Sequence, residues 1–376
     1  MKISLATITP SHYRKRIYSL LDSEMNCSFI FGKDKTTVKR MDTSIFHDCL
    51  DLDNRYIGSS HWYYQKGLLR KLRDSDVVID DLGIFCLSSW QLLLSAKFKK
   101  QKVYHWDHGW YGREGFLKKW IKRAYFGLAD GAFIYGNYAR NLMIKNGFDG
   151  SKLHVIHNSL DYDKQIVLRN KMKSTGLYKE HFSNDYPILC FIGRLTAVKK
   201  LEQVLEALDI LSKLGKFFNL VLIGNGSEKE SLMEKVRNLH LDNQVWFYGA
   251  CYDEALNASL IYNSDLCVAP GNIGLTAIHS MMFGCPCLSH NDFPWQMPEF
   301  EAILDGKTGC FFRRDDVADL ARAIDEWFSR QATNRQAVRE ACFQEIDENW
   351  NPHKQLQIIK KVIYEYCLYV YSYLFA

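Results

Sequence analysis

Val268-Ala269-Pro270-Gly271-Asn272-Ile273-Gly274-Leu275-Thr276-Ala277-Ile278-His279-Ser280-Met281-Met282-Phe283-Gly284-Cys285-Pro286 is the stretch from which the fold of this chain is read. The apolar run ending at Val268 has the character of a buried strand, and Gly271 to Gly274 that of a turn able to bring backbone close to a ligand. Leu275 to Phe283 has helical spacing of its apolar residues. A strand that passes through glycines into a helix leaves unpaired amides and a positive dipole end aimed at one point. That point suits a phosphate, although an ordinary glycine turn in an α/β sheet produces the same pattern.

On either side of this stretch the same rhythm recurs. Apolar runs at Ile188 to Ile192, Phe218 to Ile223, Val245 to Tyr248 and Leu266 to Ala269 alternate with helical patterns at Leu201 to Leu214 and Glu228 to Leu239. Earlier in the chain, Lys2 to Ile8, Cys27 to Phe31, Val77 to Asp80, Val103 to Trp106, Asp130 to Tyr135 and Leu153 to His157 form a second series. Strands separated by helices predict parallel sheets covered on both faces, with ligands at the carboxyl ends of the strands. Lys171 to Tyr186 is polar and weakly patterned, and reads as a linker. The expected organisation is α/β: two doubly wound, Rossmann-like parallel-sheet domains facing across a cleft. One spans residues 1–170, the other 187–351, with 171–186 between them. A helical pattern over 352–376, rich in Tyr and Leu, is expected to pack back on the first domain.

A chain of 376 residues exceeds one ordinary core, and 47% hydrophobic with 24% charged residues is a soluble globular composition. The first apolar segment is too short for a signal peptide, and no stretch has the length of a membrane span, so a cytoplasmic protein is expected. The eleven cysteines are scattered and read as reduced thiols, mostly buried. No metal-ligand spacing is found among them. Residues 1–170 carry 27 Lys and Arg against 17 Asp and Glu, about +10, whereas the remainder is about −5. Basic clusters at Lys66 to Arg73, Lys97 to Lys102 and Lys118 to Arg123 are interleaved with Trp62, Trp110, Phe116 and Trp120. These are either solvated helix faces or a surface for an anion; without a nucleic-acid motif, an anionic membrane at the inner face of the cell is the better functional partner.

After the first strand of the second domain comes Gly193-Arg194-Leu195-Thr196-Ala197-Val198-Lys199-Lys200. Cations beside a turn at a strand's carboxyl end can neutralise a diphosphate. Together with the Gly271 loop in the same sheet, the segment is a candidate diphosphate site.

FIGRLTAVKKLEQVLEAL, LIGNGSEKESLMEKV, VWFYGACYDEALNASLIYNSDLCVAPG and DGKTGCFF resemble the donor domain of retaining glycosyltransferases of family four, which have the GT-B fold. ADGAFIYGNYARNLMIKNGFDGSKLHVIHNSLD is similar to the segment closing that family's acceptor domain. The resemblance implies sugar transfer from a nucleotide diphosphate donor, with retention and without a metal or other cofactor. A UDP-sugar is preferred to a GDP-sugar, and the acceptor would be a glycan or lipid-linked oligosaccharide in bacterial surface-polysaccharide assembly. It places Arg194 and Lys199 on the diphosphate, with Gly193 beside them. Amides from Gly271 through Asn272, Ile273, Gly274 and Leu275, with Thr276, would hold phosphate and sugar, and Tyr248, Gly249 and Ala250, up to Cys251, would meet the base. The family also sets a histidine near the donor sugar, for which His108 is the first choice and His105 the second.

The family commonly carries two glutamates separated by seven residues, one near the donor sugar and one on the ribose. Counted back from Gly284, those positions are Gly271 and His279. Asn272 and His279 are the expected hydrogen-bonding replacements, and Asp292, Glu299 and Glu301 are available as substitute acids or as helix caps. The acceptor is expected at Ser11, His12, Tyr13 and Arg14. There Arg14, Lys15 and Arg16 suit a lipid-linked phosphate or an acidic glycan, and equally the solvated start of a helix. A nucleotide-sugar epimerase on the same fold and a non-catalytic sugar-nucleotide binder are the alternatives.

Overall fold

The computed structural model describes residues 1–33, 39–331 and 334–374. The chain divides into two compact units, residues 1–161 with 351–376, and residues 162–350.

The N-terminal unit holds an eight-stranded sheet of β1 (Ile3–Thr7), β2 (Ser28–Lys33), β3 (Cys49–Tyr56), β4 (Tyr63–Gln65), β5 (Val77–Asp81), β6 (Lys102–Asp107), β7 (Gly131–Ile134) and β8 (Leu153–Val155). Their order is β4-β3-β2-β1-β5-β6-β7-β8, parallel except for the β3–β4 pair. Central strands such as Ile3–Thr7 are buried along their whole length, which is why they read as continuous apolar runs. β3 and β4 escape the sequence reading because Cys-Leu-Asp-Leu-Asp-Asn-Arg-Tyr lies toward the sheet edge and has no fully buried residue. Leu356, Ile359 and Ile363 of the last helix, Pro352–Leu374, join Ile17, Tyr18 and Leu21 of the helix Lys15–Met25 in one core cluster. Gln355 adds hydrogen bonds to Ser159 (2.6 Å) and to the carbonyl of His157 (2.7 Å).

The second unit holds six parallel strands: β9 (Ile188–Ile192), β10 (Asn219–Ile223), β11 (Val245–Gly249), β12 (Leu266–Ala269), β13 (Cys287–His290) and β14 (Gly309–Phe312), in the order β11-β10-β9-β12-β13-β14. β13, Cys-Leu-Ser-His, and β14, Gly-Cys-Phe-Phe, are strands that the sequence reading does not include. The segment 171–186 is not a bare linker. It contains the helix Leu177–Phe182, whose Tyr178 is buried and donates to the carbonyl of Leu260 at 2.8 Å, so it belongs to the second unit.

In each unit the strand order reverses once, between β1 and β5 and between β9 and β12. At such a point the two adjacent loops leave the sheet in opposite directions and open a crevice at its carboxyl edge.

Candidate active site

In the second unit the crevice is bounded by the loop after β9, Gly193 to Lys200, and the loop after β12, Pro270 to Gly274. Their contact is close. A Cβ on Gly271 would stand 2.0 Å from the carbonyl oxygen of Val198, so no side chain fits there. The Gly271 amide donates to the carbonyl of Lys199 at 3.0 Å. Lys199 in turn bridges the loops, its Nζ donating to the carbonyl of Asn272 at 2.6 Å and to Asn272 Oδ1 at 2.8 Å. Both partners are neutral, and an ammonium has three hydrogens to give. Burial lowers Lys199 to about 8, opposed by Glu299 and helped by the like charge of Arg194. Arg194 is exposed.

Gly224 and Gly226, in the loop after β10, complete the support. A Cβ on Gly224 would lie 1.8 Å from the Gly193 carbonyl oxygen, and one on Gly226 2.1 Å from that of Leu195. The Gly-Asn-Gly after an apolar run is the signal in the sequence, and its role is to let the cationic loop lie flat against its neighbour. Tyr248 and Gly249 end β11 and Ala250 follows it, two strands from β9, or about 10 Å at ordinary strand spacing. Gly249 has φ +90°, and Ala250 is exposed.

The helix Leu275–Met282 follows the Gly271 loop, with Gly274 at its N-cap and φ +55°. Its opening leaves the amides of Leu275 and Thr276 outside the intrahelical pattern. The Thr276 hydroxyl donates to the carbonyl of Ile192 at 2.8 Å, pinning the helix start to the end of β9.

The structure corrects several expected donor contacts. The Gly271 amide serves Lys199, and the Ile273 amide donates to Gln296 Oε1 at 3.0 Å, so neither is open to a phosphate. Gln296 is buried and also donates to Ser289 Oγ (2.7 Å) and the carbonyl of His290 (3.0 Å), fixing the loop from behind. His279 Nε2 sits 2.9 Å from Glu254 Oε1. That carboxylate also accepts from Gln165 at 2.7 Å, and although burial raises it, the bonds to His279 and Gln165 hold it below its ordinary value. Glu299 is buried at 2% exposure, and its charge acts on Lys199. Asp292 pairs with Arg314 at 2.9 Å, and Glu301 is half-buried. Gln296 and Glu254 gave no signal in the sequence, since their partners are far away along the chain.

In the N-terminal unit the corresponding crevice lies between the loops after β1 and β5. Arg14 does not face an acceptor site. It is buried, paired with Asp81, and donates to Tyr135 and to the Tyr18 hydroxyl at 3.1 Å. Burial raises the Asp81 carboxyl, partly offset by Arg14 and by the Thr7 hydroxyl at 2.6 Å. Ser11 is buried as well, while His12 is exposed and Tyr13 half-buried. His105 is removed from consideration as a ligand group: it is 1% exposed, stacked on Tyr125 at 4.1 Å, with Nδ1 3.2 Å from Asp80.

His108 stands in the loop after β6 with its ring 4.8 Å from that of Tyr135. Its Nδ1 is buried without a hydrogen-bond partner among the described residues. Burial lowers it to about 4, Asp107 opposing and Arg14 and Lys122 assisting, so the imidazole is neutral at pH 7. The loop is held by Glu114, which accepts from the amides of Tyr111 and Gly112, both at 2.9 Å, and from Lys122 Nζ at 3.0 Å.

A sequence profile described as Glycosyl transferases group 1 matches residues 177–342. Among curated proteins, an uncharacterized glycosyltransferase of Methanocaldococcus jannaschii is 24% identical over 77% of this chain and 75% of its own length. The N-acetyl-alpha-D-glucosaminyl L-malate synthase of Bacillus anthracis is 28% identical over 52% of this chain and 50% of its own. Among solved structures, Anabaena HepE in complex with UDP superposes with a TM-score of 0.72 at 13% identity, covering 97% of this chain and all (100%) of that one. The lipopolysaccharide outer core galactosyltransferase WaaB superposes with a TM-score of 0.71 at 14% identity, with 97% and 100% covered. Two parallel-sheet α/β units of the GT-B fold therefore make up this chain, and residues 177–342 match the glycosyl transferases group 1 profile.

Proposed function

We propose that this protein is a glycosyltransferase that moves a hexosyl group from a nucleoside diphosphate sugar, a UDP-sugar by preference, to a glycan or lipid-linked acceptor, with retention and without a metal. The setting would be surface-polysaccharide assembly at the inner face of the cell membrane. The observation that carries the reading is the cationic loop Gly193 to Lys200 locked against the Gly271 loop at the β9–β12 reversal.

Cleavage breaks the bond between the sugar's anomeric carbon and the diphosphate oxygen, which keeps the electron pair. The acceptor hydroxyl forms the new bond, and its proton passes to the departing diphosphate. Charge therefore builds on the diphosphate, where fixed cations and amides lower the barrier. Arg194, the remaining hydrogen of Lys199 and the amides of Leu275 and Thr276 would meet it. The family's two glutamates are replaced. Gly271 has no room for a side chain, and a carboxylate reaches the His279 position from Glu254. In this reading Glu254, held by His279 and Gln165, accepts from the ribose. Neutral His108 would bond to a hydroxyl of the transferred sugar.

A melting-shift screen against UDP-, GDP-, CDP- and dTDP-sugars tests the donor site. At a hundred times its dissociation constant a ligand adds about 2.7 kcal/mol to the unit that binds it. One nucleotide class should raise the melting temperature and lose that effect in Arg194→Ala. A chain indifferent to all four classes would overturn the reading.

A further inference from the structure

The helix Phe116–Leu128 carries apolar residues on its outward side as well as its inward one. Its buried residues are Lys122, Tyr125 and Phe126, whereas Phe116, Leu117 and Trp120 are 79%, 72% and 62% exposed. At 3.6 residues per turn Phe116, Leu117, Trp120 and Ala124 share one stripe roughly 100° wide, opposite the buried side. The buried lysine is fully accommodated: its Nζ donates to the carbonyl of Gly109 at 2.6 Å and to Glu114 at 3.0 Å. So the outward stripe is not displaced core. It is apolar surface left in water. Phe116 and Trp120 touch edge to face at 6.3 Å, making one continuous patch.

Cations frame the patch. Arg113 and Lys118 are exposed, and neither Lys118 nor Lys119 has an ion-pair partner among the described residues. The unit as a whole carries 28 Lys and Arg against 17 Asp and Glu, a net +11. Aromatic and aliphatic groups flanked by cations match the boundary of an anionic bilayer, where rings enter the headgroup layer and ammonium groups stay among phosphates.

We propose that this helix docks the protein on an anionic membrane, with Phe116, Leu117 and Trp120 entering the lipid. The inference rests on the membrane setting of the proposed function and not on its donor chemistry, because vesicle binding needs neither donor nor acceptor. The loop that carries His108 leads directly into the helix, so docking sets that loop against the lipid surface.

The test is co-sedimentation with vesicles of phosphatidylcholine alone or with a quarter phosphatidylglycerol. Wild type should bind the anionic vesicles, more weakly as salt rises. The triple variant Phe116→Ser, Leu117→Ser, Trp120→Ser should lose affinity by about a hundredfold, from the apolar area no longer buried. All three side chains are exposed, so the variant should keep its circular dichroism and its melting temperature. Lipids brominated in the acyl chain should quench wild-type fluorescence more than that of Trp120→Phe. Equal binding by wild type and triple variant, or no binding of wild type to anionic vesicles, overturns the proposal. So does a wild-type dimer in sedimentation that the triple variant dissolves, which would make the patch a contact between copies of the chain.

Discussion

Arg14 and Lys199 occupy equivalent places in their two units: each follows the strand at which the sheet order reverses. Their surroundings differ. Arg14 is met by the carboxylate of Asp81 and the hydroxyls of Tyr18 and Tyr135, and its charge is neutralised within the unit. Lys199 is held by two neutral oxygens of one asparagine, with the carboxylate charge of Glu299 and the like charge of Arg194 both acting on it. In the first unit the cation at the crevice serves the fold. In the second, the cation's hydrogen bonds go to neutral oxygens, and in the proposed function it would meet the diphosphate.

The largest effect expected from this contrast is on stability. Arg14→Met leaves Asp81 buried without its partner, and denaturant unfolding should show the N-terminal unit weakened by about 3–5 kcal/mol. A loss well under 1 kcal/mol would mean that Arg14 is not the counter-ion that the geometry makes it. Lys199→Met should behave differently. Removing an ammonium that burial disfavours, but that the Asn272 oxygens and the Glu299 carboxylate favour, should cost the second unit only about 1–2 kcal/mol, while transfer falls about a hundredfold, the range for removing one stabilising donor. Near-normal turnover in that variant would erase the distinction between the two cations.

The smallest effect sharpens the comparison by pH. Because burial brings Lys199 down to about 8, its charge is lost as pH rises through that value. If binding needs the ammonium, nucleotide affinity should fall about tenfold between about pH 7 and about pH 9, and Lys199→Arg should abolish that dependence. Stability moves the other way. The folded form binds fewer protons than the unfolded form between about 8 and the ordinary 10.5, so this group's contribution is complete above 10.5 and is lost as pH falls toward 8. An affinity that is flat across this range would show that the ligand does not meet Lys199.

How far the sequence reveals all this depends on the range of the interactions. Ten strands were legible because buried parallel strands are apolar throughout, as in Ile188–Ile192. β3 was not, because an exposed strand carries Asp51, Asp53 and Arg55 along its length. Glycine turns and cations at strand ends marked the β9 and β12 loops, since those signals are local. Which amides remain for a ligand is not local. Gln296 reaches the Ile273 amide across 23 residues, and Asp81 reaches Arg14 across 67. Sequence distance hides such pairings, which is why Ile273 and Arg14 were expected to meet substrates that they do not face.

The last helix carries a consequence for synthesis. Leu356, Ile359 and Ile363 belong to the core of the N-terminal unit, yet they leave the ribosome only after the whole second unit. At about 5–20 residues per second, the first unit waits on the order of ten to forty seconds for its closing piece. The second unit, continuous from 162 to 350, has no such delay. Maturation should therefore run out of chain order, with the half begun later completed earlier, and the nascent N-terminal sheet exposing the helix face around Ile17 and Leu21 until the chain's end arrives to cover it.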